Sequence, residues 1–473
     1  MMSAGKYVAL ALAVLLPGCT MAPNYVRPEA PVAEAWPDDL MPKGTVLAEP
    51  SDKDAADIGW KVFFTDPHLQ KIIQLALENN RDLRVSALNI ERARGLYQIQ
   101  RADLMPGVEA TGESSNKGVS ADLSNTGSRM VSRQNALSVG MSSYELDFFG
   151  RIRSLKDQAL ETYLGTEEAY RSAHLSLVSE VAQAYLALVA DRERLSIATE
   201  TLKSQKASYE MIERRHAVGV SSELDLRQAQ TSVDTARVDI ARYTGQVAQD
   251  ITALGLLVGT KVTPDMLPAQ ALSDLPAWPE LPVGLPSAVL LKRPDILQAE
   301  HELKASNANI GAARANFFPR ITLTAGIGTA SNELSGLFDG GTGTWTFLPQ
   351  ISLPIFEGGR NLANLRVSET DKKIAVANYE KAIQSAFREV SDALISRISL
   401  AGQLEAQKSL VFATSETYRL STERYNQGVD SYLTVLDSQR SMYNSQLNLV
   451  TTRVAREQNL IMLYKVLGGG WKE

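Results

Sequence analysis

Gly219-Val220-Ser221-Ser222-Glu223-Leu224 returns 209 positions later as Gly428-Val429-Asp430-Ser431-Tyr432-Leu433, and reading this pair decides the fold. Each copy interrupts a long tract free of proline, and each opens on a glycine, the residue that most easily takes the left-handed conformation ending a helix. The two segments therefore read as the turns of two long helical hairpins. Working outward at the same shift, Gly150-Arg151 falls on Gly359-Arg360, Leu254 on Leu463 and Gly259 on Gly468. Further upstream the shift becomes 213, matching Asp82 with Asp295, Arg101-Ala102 with Arg314-Ala315, and Pro106 with Pro319. A period this long is no solenoid unit; it is a duplicated domain-sized piece whose copies sit side by side.

The tracts leading into the turns carry a coiled-coil period. Val181, Leu188, Leu195, Leu202 and Tyr209 recur every seven residues, with Val178 and Tyr185 supplying part of the alternate row. In the second copy Leu433, Leu436, Tyr443, Leu447, Val450, Val454, Ile461 and Tyr464 fit a three-four alternation. No proline lies between Gly107 and Thr263 or after Pro354, so nothing forbids helices of great length. A helix from about Arg151 to Ala217 is predicted to be on the order of 100 Å long.

Ahead of each hairpin the period changes to two. Ile321, Leu323, Ala325 and Ile327 alternate with Thr322, Thr324, Gly326 and Gly328, and Trp345, Phe347 and Ile351 alternate with Thr346, Gln350 and Ser352. The first copy does the same around Val108, Ala110 and Gly112 and around Leu137, Val139 and Met141. Each repeat thus supplies two strands of roughly 9–12 residues, the length that crosses an outer membrane. Asn116–Arg133 and Ser331–Thr344, rich in Ser, Gly, Asn and Thr, are predicted to be exposed loops. Four strands cannot close a barrel, and an open edge in lipid leaves backbone groups unpaired. Several chains must share one barrel; two would give eight strands with a filled interior, three give twelve strands with a lumen.

Charged residues make up 22% of the chain and the formal net charge is -6, which excludes the basic surface of a nucleic-acid binder. The single cysteine, Cys19, precludes an internal disulfide. It follows Lys6 and the apolar run Val8–Leu16, reading as a bacterial lipoprotein signal over 1–18 that is cleaved before Cys19. Acylated Cys19 would hold the chain in outer-membrane lipid, since Thr20 stands where an aspartate would retain a lipoprotein at the inner membrane. Six prolines between Cys19 and Ser51 mark an extended arm over 19–65. Six more between 264 and 286 mark a linker over 264–285, separating repeat 1 (66–263) from repeat 2 (286–473). The fold class is thus an α+β membrane protein built from a duplicated strand-strand-hairpin unit.

Catalytic chemistry is not expected. His68, His174, His216 and His301 are scattered with no carboxylate or cysteine at metal-ligand spacing, so no metal site is predicted. Gly358-Gly359 lacks the lysine-serine tail of a phosphate loop and reads as a strand-to-helix joint repeating Phe149-Gly150; no cofactor is expected. Arg440, with Asp437 one turn earlier, falls at a seam position where an aliphatic residue belongs, and Tyr425, Tyr432 and Leu433 flank the same turn.

Six strings together resemble one family. They include Asn79-Asn80-Arg81-Asp82-Leu83-Arg84, Tyr144-Glu145-Leu146-Asp147-Phe148-Phe149-Gly150-Arg151, Asn309-Ile310-Gly311-Ala312-Ala313-Arg314-Ala315 and Leu467-Gly468-Gly469-Gly470-Trp471. The chain resembles the bacterial outer-membrane efflux channels of the TolC type, most closely their lipidated OprM and OprJ branch. The resemblance implies a homotrimer whose twelve-stranded barrel continues as a helical periplasmic tunnel. It also implies docking to a periplasmic adaptor (membrane fusion) protein and a proton-driven inner-membrane pump of the RND type. At the tunnel's closed end it assigns Leu433 to an apolar constriction, Asp437 to an acidic ring, Arg440 to its cationic tether and Tyr425 to a tie between helices. The turns, Gly219, Val220, Ser221 and Ser222 with Gly428, Val429, Asp430 and Ser431, become adaptor-docking tips. Metal-ion efflux and type I protein secretion are alternatives within the class. A periplasmic adaptor or a structural lipoprotein lies outside it, and an adaptor would carry one hairpin, not two with paired strands.

Overall fold

The computed structural model describes residues 20–33, 35–36, 55–267 and 290–470, with isolated positions between 272 and 281. The signal segment, Cys19, part of the N-terminal arm and most of the inter-repeat linker lie outside the described residues. After a single helical turn at Trp60–Phe63 the elements run α1 (Pro67–Asn79), α2 (Arg81–Ala102), β1 (Glu109–Val119), β2 (Met130–Glu145), α3 (Arg151–Ala217) and α4 (Glu223–Val258). The second series is α5 (Pro294–Ala315), β3 (Arg320–Ser331), β4 (Gly343–Ser352), α6 (Arg360–Asn426) and α7 (Tyr432–Val466). The duplication is nearly exact in length: α3 and α6 each have 67 residues, α2 and α5 each 22, and α4 and α7 have 36 and 35.

The strands form one antiparallel sheet in the order β1-β2-β3-β4, leaving β1 and β4 as its edges. Register places Ala110, Val139, Ile327 and Trp345 side by side on one face and Thr111, Ser138, Gly328 and Thr344 on the other. The apolar row is exposed, Ile327 by 71% and Trp345 by 77%, so the chain alone buries neither face of that row. On the polar face Gly140 and Gly328 lie so close to the neighbouring backbone that an added Cβ would strike it, at the Ala325 and Leu137 carbonyls respectively. Glycine there lets β2 and β3 draw together on that face. A bulge between Met141 and Tyr144, with Ser143 at φ 53°, shifts the register before pairing resumes at Tyr144↔Leu323 and Glu145↔Thr322.

Two expectations about the strands are corrected. β2 has 16 residues, longer than any strand predicted, and pairing continues through Asn116↔Arg133 to Val119↔Met130. The first loop therefore shrinks to residues 120–129, and the second to 332–342 because Ser331 and Gly343–Thr344 are strand. Polar residues hid these ends: a strand solvated on both faces has no reason to alternate.

Packing divides the chain differently from the repeats. Among the described residues, one compact unit gathers those within 20–29, 89–167 and 298–379 and the other gathers the rest, each drawing on both copies. In the first unit the stretch after Thr20 is held against α5: Asn307 donates to the Pro23 carbonyl at 2.7 Å, and Tyr25 and Arg27 both bond Glu300 at 3.1 Å. The core of the second is aromatic and aliphatic, with Phe63 stacked on Tyr464 at 4.0 Å among Trp60, Leu69, Tyr185, Leu188 and Ile461. Among the described helices, α3 alone contains a stretch long and apolar enough to cross a bilayer. That stretch is 61% buried within the chain, and the helix contributes Val178, Val181, Ala182, Tyr185, Leu188 and Val189 to the core.

Candidate functional site

The two turns are identical in backbone. Gly219 has φ 76°, its N–H donates to the His216 carbonyl at 2.9 Å, and the Val220 N–H donates to the Arg215 carbonyl at 2.8 Å. At the second turn Gly428 has φ 77°, its N–H donates to the Tyr425 carbonyl at 2.9 Å, and the Val429 N–H donates to the Arg424 carbonyl at 2.9 Å. This crossed pair of bonds satisfies two of the carbonyls a helix end would otherwise leave bare. No atom lies near either absent Cβ, so it is the positive φ, not crowding, that calls for glycine.

The side chains that clip each turn differ. At the first, Ser222 caps α4 by accepting from the Asp225 N–H at 3.1 Å while the Asp225 carboxylate accepts from the Ser222 N–H at 3.1 Å, a reciprocal capping box. His216 adds to it, Nδ1 lying 3.0 Å from the Ser221 carbonyl and Nε2 3.2 Å from the Glu223 carboxylate. At the second, Thr434 occupies the position equivalent to Asp225 and no box forms; the Ser431 side chain caps nothing. There Arg424 instead grips both oxygens of Asp430 at 2.7 and 2.9 Å. Partial burial works against the Asp225 charge, but hydrogen bonds from Ser222 and Ser221 outweigh it and hold the carboxyl below its usual range. The Arg424 guanidinium does the same for Asp430. Both turns present apolar side chains to solvent: Val218, Val220 and Leu224 at the first, Val429 at the second.

Beyond the second turn Leu433, Asp437 and Arg440 share one face of α7. All three are exposed, and the Arg440 guanidinium stands 3.7 Å from the Asp437 carboxylate, too far for a hydrogen bond. The opposite face is core: Tyr432, Val435 and Leu436 are buried with Tyr425 against Ile212 of α3 and Ala229 of α4. The Tyr425 and Tyr432 rings meet at 5.5 Å, and the Arg215 guanidinium lies 5.1 Å from the Tyr425 ring centre. Tyr425 thus sits where both hairpins meet.

Placing Arg440 on the seam is therefore a correction. Within the chain the buried row runs Tyr432, Leu436, Gln439, and Gln439 is 3% exposed while Arg440 and Leu433 face outward. A buried glutamine broke the apolar pattern, and the next position that kept the alternation was the arginine. The same effect hid half of the α3 seam, where Asp191, Ala198, Gln205 and Ile212 are buried seven residues apart beside the Leu188-to-Tyr209 row. The Arg424–Asp430 clamp has no periodic signal in the sequence. The serine-to-aspartate spacing of Ser222 and Asp225 is a signal that would have found the first cap.

Comparison with known proteins agrees with this geometry. The model of the family described as "Outer membrane efflux protein" matches residues 72–260 and 285–469. The toluene efflux pump outer membrane protein TtgC of Pseudomonas putida is 49% identical over 461 residues, covering 98% of this chain and 94% of that one. Outer membrane protein OprJ of Pseudomonas aeruginosa is 42% identical over 465 residues, covering 98% and 96%. Among solved structures, the open state of the Neisseria gonorrhoeae MtrE outer membrane channel superposes with a TM-score of 0.87 at 40% identity, covering 96% of this chain and 99% of that one. With both repeats matched and near-complete coverage by such relatives, the chain belongs to the outer membrane efflux protein family.

Proposed function

We propose that the protein is the exit duct of a tripartite efflux system of the RND type, passively conducting toxic small organic molecules across the outer membrane. One observation carries this reading: a four-stranded sheet with an exposed apolar face and two unpaired edges, β1 and β4. In lipid those edges demand partners, and three copies joined edge to edge make a twelve-stranded barrel with a lumen. The relative TtgC is named for a toluene efflux pump, which points the cargo toward toxic organic molecules. The partners are then an inner-membrane pump and a periplasmic adaptor, the latter docking on the apolar tips at Gly219–Ser222 and Gly428–Ser431. Cys19 carries the lipid anchor.

The gate is the outward face of α7. Three copies of Asp437 around a narrow axis repel one another unless Arg440 offsets them, so closure rests on an exposed, weakly held pair that an adaptor could displace. Leu433 adds the apolar constriction and Tyr425 ties the hairpins beneath it. Replacing Asp437 and Arg440 together with alanine should raise single-channel conductance in planar bilayers and admit large antibiotics to cells. Wild-type conductance and permeability would move the gate elsewhere. Deleting the gene should sensitise cells to solvents and antibiotics, and unchanged susceptibility with every candidate pump would remove the efflux role.

A further inference from the structure

Beside α7 lies a small, partly open cavity of about 60 Å³, lined by Thr201 and Gln205 of α3, Ser232, Thr235 and Ala236 of α4, and Gln439, Arg440 and Tyr443 of α7. A water needs roughly 10–15 Å³ of such space, so there is room for several waters or one planar head group. The Gln205 side-chain oxygen is fully buried there and has no hydrogen-bond partner, although Gln205 as a whole is only 5% exposed. Leaving a buried acceptor unmet is costly, and most such groups are paired. At the cavity wall stands Arg440, with five donors and no hydrogen bond among the described residues; its ion pair with Asp437 is long. Gln205, whose acceptor is orphaned just beneath the wall, and Arg440 thus line one space.

We propose that this cavity is a second seat for the Arg440 guanidinium, with Gln205 as the acceptor that receives it. The inference rests on reading Asp437 and Arg440 as the gate, and adds Gln205 as a positioning residue that no part of that reading contains. Arg440 then has two stations. Outward, it offsets Asp437 and favours closure. Inward, it pins α7 to α3 and leaves the Asp437 carboxylates of the three copies uncompensated, which favours opening. The swing is a change of rotamer on one long side chain, together with opening of the packing that now seals the Gln205 oxygen.

Two variants at position 205 bias the stations in opposite directions. Gln205→Glu turns the inward bond into an ion pair and should shift the station ratio inward by about tenfold, raising conductance above wild type. Gln205→Leu removes the acceptor and fills the cavity with apolar carbon, and should lower conductance. In an Arg440→Ala background both substitutions should lose their effect. A conductance change that persists without Arg440, or identical conductance for all three residues at 205 while the Asp437→Ala/Arg440→Ala channel is leaky, overturns the second seat and leaves the gate intact. If the gate variant itself is silent, a structural readout still decides. Carbodiimide treatment of trimers carrying Gln205→Glu and Arg440→Lys should link positions 205 and 440 on peptide mapping. A link from position 440 to Asp437 alone overturns the proposal.

Discussion

The two turns have the same backbone and opposite surroundings. Positions 209 residues apart hold Arg215 and Arg424, His216 and Tyr425, Ser221 and Asp430, Glu223 and Tyr432, Asp225 and Thr434. At the first turn the pairs are polar and the helix start is solvated; at the second, Tyr425 and Tyr432 are buried and the helix start is core. Duplication preserved the fold-determining glycines and freed the side chains to diverge. One turn became a capped, self-contained tip, the other the point where the hairpins are held together.

The strongest way to break this contrast is to empty the second turn. Tyr432→Ala should cost about 3 kcal/mol, as large-to-small core changes do, and expose residues 425–436 to hydrogen exchange. The equivalent change, Glu223→Ala, should stay within about 0.5 kcal/mol. Equal protection losses would mean that the turns are not differentiated. Next in size, Gly219→Ala and Gly428→Ala should each cost about 1–2 kcal/mol, because both put a Cβ on left-handed backbone. Here the two turns should respond alike, and a turn that tolerated alanine would show that its φ is set by packing.

Smaller again, Ser222→Ala should destabilise the start of α4 by about 1 kcal/mol while Ser431→Ala does nothing measurable at the start of α7. Hydrogen exchange over 223–226 and 432–435 reads both. The smallest effect is electrostatic. Asp225 and Asp430 titrate below the carboxylate range of an unfolded chain, so their contribution is complete above about pH 4 and disappears as pH falls through their folded values. Pepsin cleavage at both tips should rise between pH 4 and pH 2. With Arg424→Ala, tip 2 should lose that pH dependence and tip 1 should keep it.

The repeat, the hairpins, the strand faces and the turn glycines were all legible because each leaves a periodic or conformational mark in the residues themselves. What stayed hidden has a common cause. Gln205, Gln439 and Asp191 are polar residues inside seams, and Asn116–Val119 is strand solvated on both faces, so in each case hydrophobicity and burial part company. At the candidate gate the sequence located Leu433, Asp437 and Arg440 on one helix but not which way they point. Direction depends on where a neighbouring helix packs, and that is decided by partners more than 200 positions away.

The β2–β3 pairing joins the two repeats inside a chain, just as β4 must meet β1 of the next copy around the ring. Six hairpins alternate, and only the connector between repeats tells an internal joint from an external one. A split protein, expressed as two half-chains cut within 268–289, is therefore a coherent object: a hexamer of alternating halves, with the chain break where no strand pairing is lost. The crowded glycines at Gly140 and Gly328 lie at the internal joint, where a side chain would strike the neighbouring strand. Halves that meet there first would form the original protomer, and the stoichiometry of the channel would emerge from the relative strength of two kinds of edge.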